Sequence, residues 1–369
     1  MVDGSTEFFN GSSWRPVAEL EEGEDLYGKT CLQYNKGYLE LVRPLRSFRR
    51  YTSDSEWLQY RGIDLDIQAT KNQKILFRFV NDNKDYFTTY SELENAVCID
   101  QEPLITSCLF KGFTSTKDAV PEGFLEFYCL LAKYEASWLE DHCIFKRVFK
   151  DYTFLQKNNL RYLSFNYNQK YFSPPKILRQ INKEYGTYIL QVAKDSWDEL
   201  KLDKFFCLYD YSVRVSQVKD ELYTYYILRL PNSLESKMHY AGSSMRLDWL
   251  LAEDDLKSKV EVLLWLLSDE EPVDSSLPAP CSLDYRQRFV LDIIQLVALT
   301  VGRVCVFTDY ICEGKRTLVP LISSGYSEFS AENFSSPYLN QLGYGLQVPS
   351  GSLVLRRNGK IFVIGDMDD

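Results

Sequence analysis

The sequence predicts an α+β protein, β-rich at both ends and carrying helices in its middle. Three observations lead there. Aromatic residues reach 15%, with 26 Tyr and 22 Phe, and such residues favour sheets. Residues 348–366 hold two short β-rich runs, one with Val354 and Leu355, the other from Ile361 to Ile364. Between them Arg356-Arg357-Asn358-Gly359-Lys360 supplies a turn whose Asn-Gly pair suits positive φ. The third is a pair of apolar helical stretches in the middle, residues 122–136 and 254–268; Phe124, Phe127, Leu131 and Tyr134 form one stripe along the first.

Taken in order, residues 1–100 read as strands and turns. Asn10-Gly11 is a hairpin turn, and residues 16–23 form a short acidic segment. Residues 39–42 and 55–67 alternate as strands do. So do residues 74–80, with Ile75, Phe77 and Phe79 on one face, and 105–113 is a further strand. Pro174-Pro175 breaks the chain before a helix expected over 176–185, capped by Gly186. Residues 284–307 suit a helix, a glycine and a strand, and residues 343–345 lie on the chain's return after a Ser-rich connection at 323–337.

Composition limits the function. The chain of 369 residues holds two or three domains, and no apolar run reaches the roughly 18 residues of a membrane span. The start, MVDGSTEFF, lacks the charged and apolar regions of a secretory signal. Nine cysteines without any C-x-x-C spacing, and only His142 and His239 to join them, argue against a zinc site and fit reduced thiols in a cytosol. Two histidines leave little for Ser-His-Asp or Cys-His chemistry. There is no Walker loop, no G-x-G-x-x-G and no H-E-x-x-H.

Residues 2–20, VDGSTEFFNGSSWRPVAEL, taken with 348–366, VPSGSLVLRRNGKIFVIGD, resemble the first and last blocks of the intein (Hint) fold. EFFNG-x-x-W and the later LQYN-x-x-x-x-x-LV resemble a phage-type intein opening. The resemblance implies a β-rich Hint domain built from residues 1–115 and 326–369. Between them, 116–325 would be an inserted α/β domain of the LAGLIDADG homing-endonuclease type with pseudo-two-fold halves. A phage or mobile-element origin is implied in the same way.

That family's splicing chemistry can be checked position by position. The first residue should be a thiol or hydroxyl nucleophile, and Met1 stands there. A T-x-x-H should supply a proton to the scissile amide, but Thr70-Lys71-Asn72-Gln73 ends in glutamine, which shuttles no proton near neutral pH. The last residue should be Asn, and Asp366 occupies its place. The expectation is a scaffold without splicing activity.

In the insertion, the resemblance places Glu135, in Tyr134-Glu135-Ala136-Ser137-Trp138, at the Mg²⁺ position of the first interface helix. The same residue also fits an ordinary helix-end glutamate. In the second half Leu266-Leu267 follow Trp265 where Asp-Gly should, and Asp269 fills the acidic role only by a shift of register.

Charge separates the halves. Lys146, Arg147, Lys150, Lys157, Arg161, Lys170, Lys176, Arg179 and Lys183 interleave with aromatics and asparagines. That mixture suits double-stranded DNA contact, and equally a solvated face of a tyrosine-rich sheet. From 248 to 284, acids face only Lys257 and Lys259, a surface that repels a DNA backbone.

Two functions are compatible with these residues. One is a splicing-inactive, intein-derived binding or structural component, contacting protein, or DNA without cutting it, and needing no cofactor. The alternative is a free-standing, Mg²⁺-dependent homing endonuclease using Glu135 and Asp269.

Overall fold

The computed structural model describes residues 1–114, 176–231 and 283–365, less short connecting segments; 115–175, 232–282 and 366–369 lie outside the described residues. The chain divides into two compact units, one of Met1–Asp118, Leu247–Val260 and Leu291–Asp369, the other of Ala119–Arg246 and Glu261–Val290. The described part is β-rich with a few helices, an α+β architecture. Among the described residues no helix is long and apolar enough to cross a membrane.

The first unit begins with a hairpin of β1 (Glu7–Phe9) and β2 (Trp14–Pro16), closed by the Asn10 N–H donating to Ser13 O at 3.0 Å, with Gly11 at φ 93°. β3 (Cys31–Asn35) and β4 (Tyr38–Val42) turn through Lys36 and Gly37, both at positive φ. β5 (Arg46–Thr52) follows, then β6 (Trp57–Arg61) and β7 (Asp66–Thr70). The single strand expected over 55–67 is therefore a hairpin, turning where the Gly62 N–H meets Leu65 O at 2.8 Å. All of β7, and all of β6 but Arg61, is buried on both faces, so no polar alternation marks where one strand stops.

β8 (Lys74–Phe79) and β9 (Tyr86–Thr89) lead into α1 (Tyr90–Cys98), a helix where only strands and turns are expected. Its signal is local: Thr89 and Glu92 form a capping box, each side chain bonding the other's backbone N–H. The strand expected over 105–113 is two short ones, β10 (Leu104–Thr106) and β11 (Gly112–Thr114). They join opposite ends of one sheet.

In the second unit β12 (Lys176–Ile181) and β13 (Tyr185–Ala193) precede α2 (Trp197–Leu208), and β14 (Ser216–Lys219) and β15 (Tyr223–Pro231) follow it. The four strands form an antiparallel sheet in the order β12-β13-β15-β14. The helix expected over 176–185 is instead a hairpin, and Gly186 sits in the ladder opposite Ile181 and Leu230 rather than capping a helix. The dense Ile, Leu, Tyr and Val of β13 find a nine-residue partner in β15, and this long-range pairing overrides local helix preference. Glu199 of α2, a helix without a counterpart in the sequence reading, accepts from the Asp195 N–H, Thr224 and Lys219. A two-residue strand, β16 (Leu283–Asp284), comes last.

The chain returns to the first unit through α3 (Arg288–Thr300), Gly302 at φ 74° and β17 (Val304–Cys312), the helix, glycine and strand expected over 284–307. β17 forms a hairpin with β18 (Lys315–Ser323). β19 (Phe334–Ser335) adds to β6, and β20 (Gln341–Gln347) pairs with β5. β21 (Ser352–Arg357) and β22 (Lys360–Gly365) end the described part. Their turn is only Asn358-Gly359, at φ 48° and 76°; Arg356, Arg357 and Lys360 belong to the strands rather than to a five-residue turn. The sheet order β10-β8-β22-β21-β3-β4-β11 puts this hairpin at the centre, with β1 paired to β21. Segments from both ends of the sequence thus build one sheet, and Val2, Phe8, Ile67, Leu355 and Ile364 share one core.

Successive residues of a strand point to opposite faces, and the two arginines of β21 exploit this. Arg356 meets Glu7 at 2.7 Å, pairs with Asp292 of α3, and lies 4.7 Å over the Trp14 ring. Beside it Gln295 donates to Gly359 O and Cys305 O at 2.7 and 2.8 Å. On the other face Arg357 meets Asp3 at 3.1 Å and Gln68 at 2.7 Å and pairs with Asp66. Burial by itself would lower the Arg356 pKa, but Asp292 and Glu7 outweigh it and hold it above its ordinary value.

Removing Arg357 leaves Asp3 and Asp66 buried without their cation, which costs about 3–5 kcal/mol. Arg357→Ala is expected to lower the denaturant midpoint of the first unit accordingly, and adding Asp66→Asn to recover part of the loss; chemical denaturation of the three chains checks this.

Candidate functional site

Residue 1 is drawn into the first unit by its neighbour. Val2 bridges Ala69 on one side and Tyr344 on the other, exchanging two backbone hydrogen bonds of 2.9 Å with Tyr344. Tyr344 lies on β20, so residues 343–345 of the chain's return form part of a strand. The Thr70 N–H then donates to Met1 O at 2.9 Å, which fixes Met1 against the end of β7.

The turn leaving β7 completes the site. The Gln73 N–H donates to Thr70 O at 2.9 Å, so Thr70 and Gln73 present their side chains together. The N-terminus of α1 secures this turn from outside: the Tyr90 N–H donates to Gln73 O at 2.8 Å and the Ser91 N–H to Lys71 O at 3.0 Å. The Met1 nitrogen lies 3.0 Å from Thr70 Oγ1 and 2.7 Å from Gln73 Oε1. Gln73 Nε2 donates in turn to Gly365 O at 2.6 Å. One buried amide therefore links Met1 to the last residue of β22.

Close packing supports this linkage. A Cβ on Gly343 would sit 3.1 Å from Met1 Cβ and 3.4 Å from Trp57 Cζ2, and one on Gly365 3.1 Å from Lys74 Cβ and from Phe87. Met1, Thr70 and Gln73 are each at most 5% exposed. Burial pushes the Met1 amine down to about 5, so it is neutral near pH 7.

The structure thus brings together three of the positions singled out in the sequence, Met1, Thr70 and Gln73, and adds Gly365, the neighbour of Asp366. Asp366 itself lies outside the described residues, as do Glu135, Asp269, Lys146, Arg147, Lys150, Lys157, Arg161 and Lys170, and the helices expected over 122–136 and 254–268. Lys183 falls in an undescribed connection as well. Lys176 and Arg179 lie on β12, opposite Gln191 and Tyr188. Among the described residues no three His, Cys, Asp or Glu side chains gather as a metal site.

Sequence reasoning missed the arginine that holds this corner. Asp3 follows Met1 by two residues and Gln68 precedes Thr70 by two, and Arg357 binds both. The signal available was two arginines in an otherwise apolar strand pair, with acids placed near the opposite terminus.

What the arrangement can do follows from its groups. Thr70 Oγ1 and the Gln73 amide can hold a backbone nitrogen and a carbonyl in place, but neither exchanges protons near neutral pH. The site has the geometry to align two distant chain segments. No protein-family model and no curated protein matches the sequence.

In a chain beginning at Met1, the amine has a folded-state pKa of about 5 against an ordinary value of 8.0. Between those values the unfolded chain binds the proton that the folded chain does not, so this group makes stability rise with pH across that window. Four methionines make ¹³C-methionine labelling selective, and the Met1 Cα signal is expected to titrate with a midpoint of about 5. A midpoint at the ordinary value would show the amine exposed to water.

Proposed function

We propose that the chain is a Hint-type scaffold that has lost splicing chemistry, and that its inserted domain, LAGLIDADG-like in origin, works as a non-catalytic binding or structural component. The observation that carries this reading is the Gln73 bridge. Met1, the T-x-x-H-like turn and the carbonyl preceding Asp366 are joined by hydrogen bonds of 2.6–3.0 Å, the closeness that paired terminal blocks would require. The nucleophile's place holds a thioether, and the proton donor's place holds an amide that spends both its ends on structural hydrogen bonds. The central position of β21 and β22, with β1 beside them, agrees with a domain closed by its two terminal blocks.

Flanking the chain with peptides at both ends tests the reading. The parent is expected to give no ligated flanks and no thiol-induced release. Met1→Cys with Gln73→His restores a nucleophile and a proton donor. That double variant is expected to release the N-terminal flank with a thiol reagent, through a thioester formed on the introduced thiol. Ligation by the parent overturns the loss of splicing. A folded double variant that releases nothing overturns the Hint assignment.

The insertion is tested separately, by exposing the full chain to a randomised duplex-DNA library with Mg²⁺ and then with EDTA. The expected outcome is no Mg²⁺-dependent cutting. Cuts that disappear in Glu135→Gln would establish a living endonuclease instead.

A further inference from the structure

β20 has Val2 on one side and β5 on the other, and its register with β5 sets up a small surface. Arg46 stands opposite Gln347, Phe48 opposite Gly345 and Arg50 opposite Gly343. Alternation along each strand puts these residues on one face of the pair. A Cβ on Gly345 would fall 2.1 Å from the Phe48 ring, so the glycine is what lets that ring lie across the neighbouring strand. Met1 and Trp57 pack against Gly343 and close the row at that end.

Charge on this face is unbalanced. Arg46, Arg50 and Gln347 are exposed, and Phe48 is half-buried between the two cations. Neither of these arginines makes an ion pair or a side-chain hydrogen bond among the described residues, in a chain whose net charge is −10. Arg356 and Arg357, by contrast, each meet two acids.

We propose that the row of Arg46, Phe48 and Arg50 docks an extended acidic segment of a partner protein, in which two carboxylates flank one apolar residue at alternate positions. Spacing and charge select this occupant. Residues i and i+4 of a strand lie about 13 Å apart at roughly 3.3 Å per residue, and an extended segment laid along the row repeats that spacing. Its acids at i and i+4 meet the two guanidiniums, which bind carboxylates as bidentate forks, while residue i+2 covers the Phe48 ring. The Gln347 amide beside Arg46 offers a donor and an acceptor to the segment's backbone. A second copy of the row is disfavoured by its charge, because an antiparallel match about Phe48 sets Arg46 against Arg50. Two unpaired cations are also fewer than the roughly four to eight that hold a protein to an anionic membrane. The surface works in the same way whether or not the chain is of the Hint type.

The competing account is that these arginines only keep an exposed strand from pairing with other chains. Fluorescence anisotropy with the full chain separates the two. The probe is a dye-labelled peptide, Glu-Thr-Phe-Thr-Glu with a blocked C-terminus, and the control has the same composition with its glutamates adjacent. The parent is expected to bind the alternating peptide about tenfold more tightly than the control, the amount that two exposed charge pairs can supply. That affinity should fall as salt rises. Arg46→Gln/Arg50→Gln is expected to lose the preference, and Arg46→Lys/Arg50→Lys, which keeps the charge without the fork, to retain part of it. Both positions are exposed, so circular dichroism should show an unchanged fold. Equal affinity for the two peptides, no binding of either at low salt, or an unchanged preference in the Gln variant overturns the proposal. Weakened binding of that variant to phosphatidylserine vesicles, with its peptide preference unchanged, overturns it too and assigns the row to a lipid surface.

Discussion

Two adjacent guanidiniums buried in the middle of a sheet constrain everything around them. Because Arg356 and Arg357 are neighbours on β21, they must face opposite sides, and each needs acids delivered from elsewhere in the chain. Glu7 and Asp292 come to one side, Asp3 and Asp66 to the other. A strand late in the sequence is thereby fastened to its first residues, to the β6–β7 hairpin and to α3. In the observed register of β21 both arginines find acidic partners, and a slip by one residue would turn each to the face where the other's partners lie.

The corner occupied by Met1 depends on that register. Arg357 holds Asp3 and Gln68, which bracket Met1 and Thr70 along the two paired segments. With those fixed, Thr70 and Gln73 have little freedom, and Gln73 reaches Gly365 because β22 is the strand next to β8. A glutamine suits this role better than a histidine would in a purely structural site. It offers a donor and an acceptor on one planar group at any pH, and both are used. The arrangement aligns two distant segments of the chain through one buried amide.

Much of the first unit was legible. Asn-Gly at 358–359 marked its hairpin because that dipeptide accepts two successive positive φ values at low cost. Apolar alternation located β4 and β8 within a residue or two. Failures followed from burial and distance. β6 and β7 are covered on both faces, which erased the alternation that separates strands. Residues 176–185 satisfied helix and strand patterns alike, and the choice was made by β13 and β15, whose pairing joins residues as far apart as Tyr185 and Pro231. Thr89 and Glu92 did announce α1, but a nine-residue helix between strands has too short an apolar stripe to be noticed from periodicity.

For the site, residue types were readable and their meeting was not. The sequence alone determined that the Met1 side chain brings no thiol or hydroxyl nucleophile, that the Gln73 side chain moves no proton, and that Asn358-Gly359 turns a hairpin, since these are properties of single residues and adjacent pairs. That Met1, Thr70, Gln73 and Gly365 touch, and that the two arginines beside the turn are buried clamps, were decided only by tertiary structure. Each depends on strands brought together from distant parts of the chain, and no local pattern encodes which face of a strand a distant partner will cover.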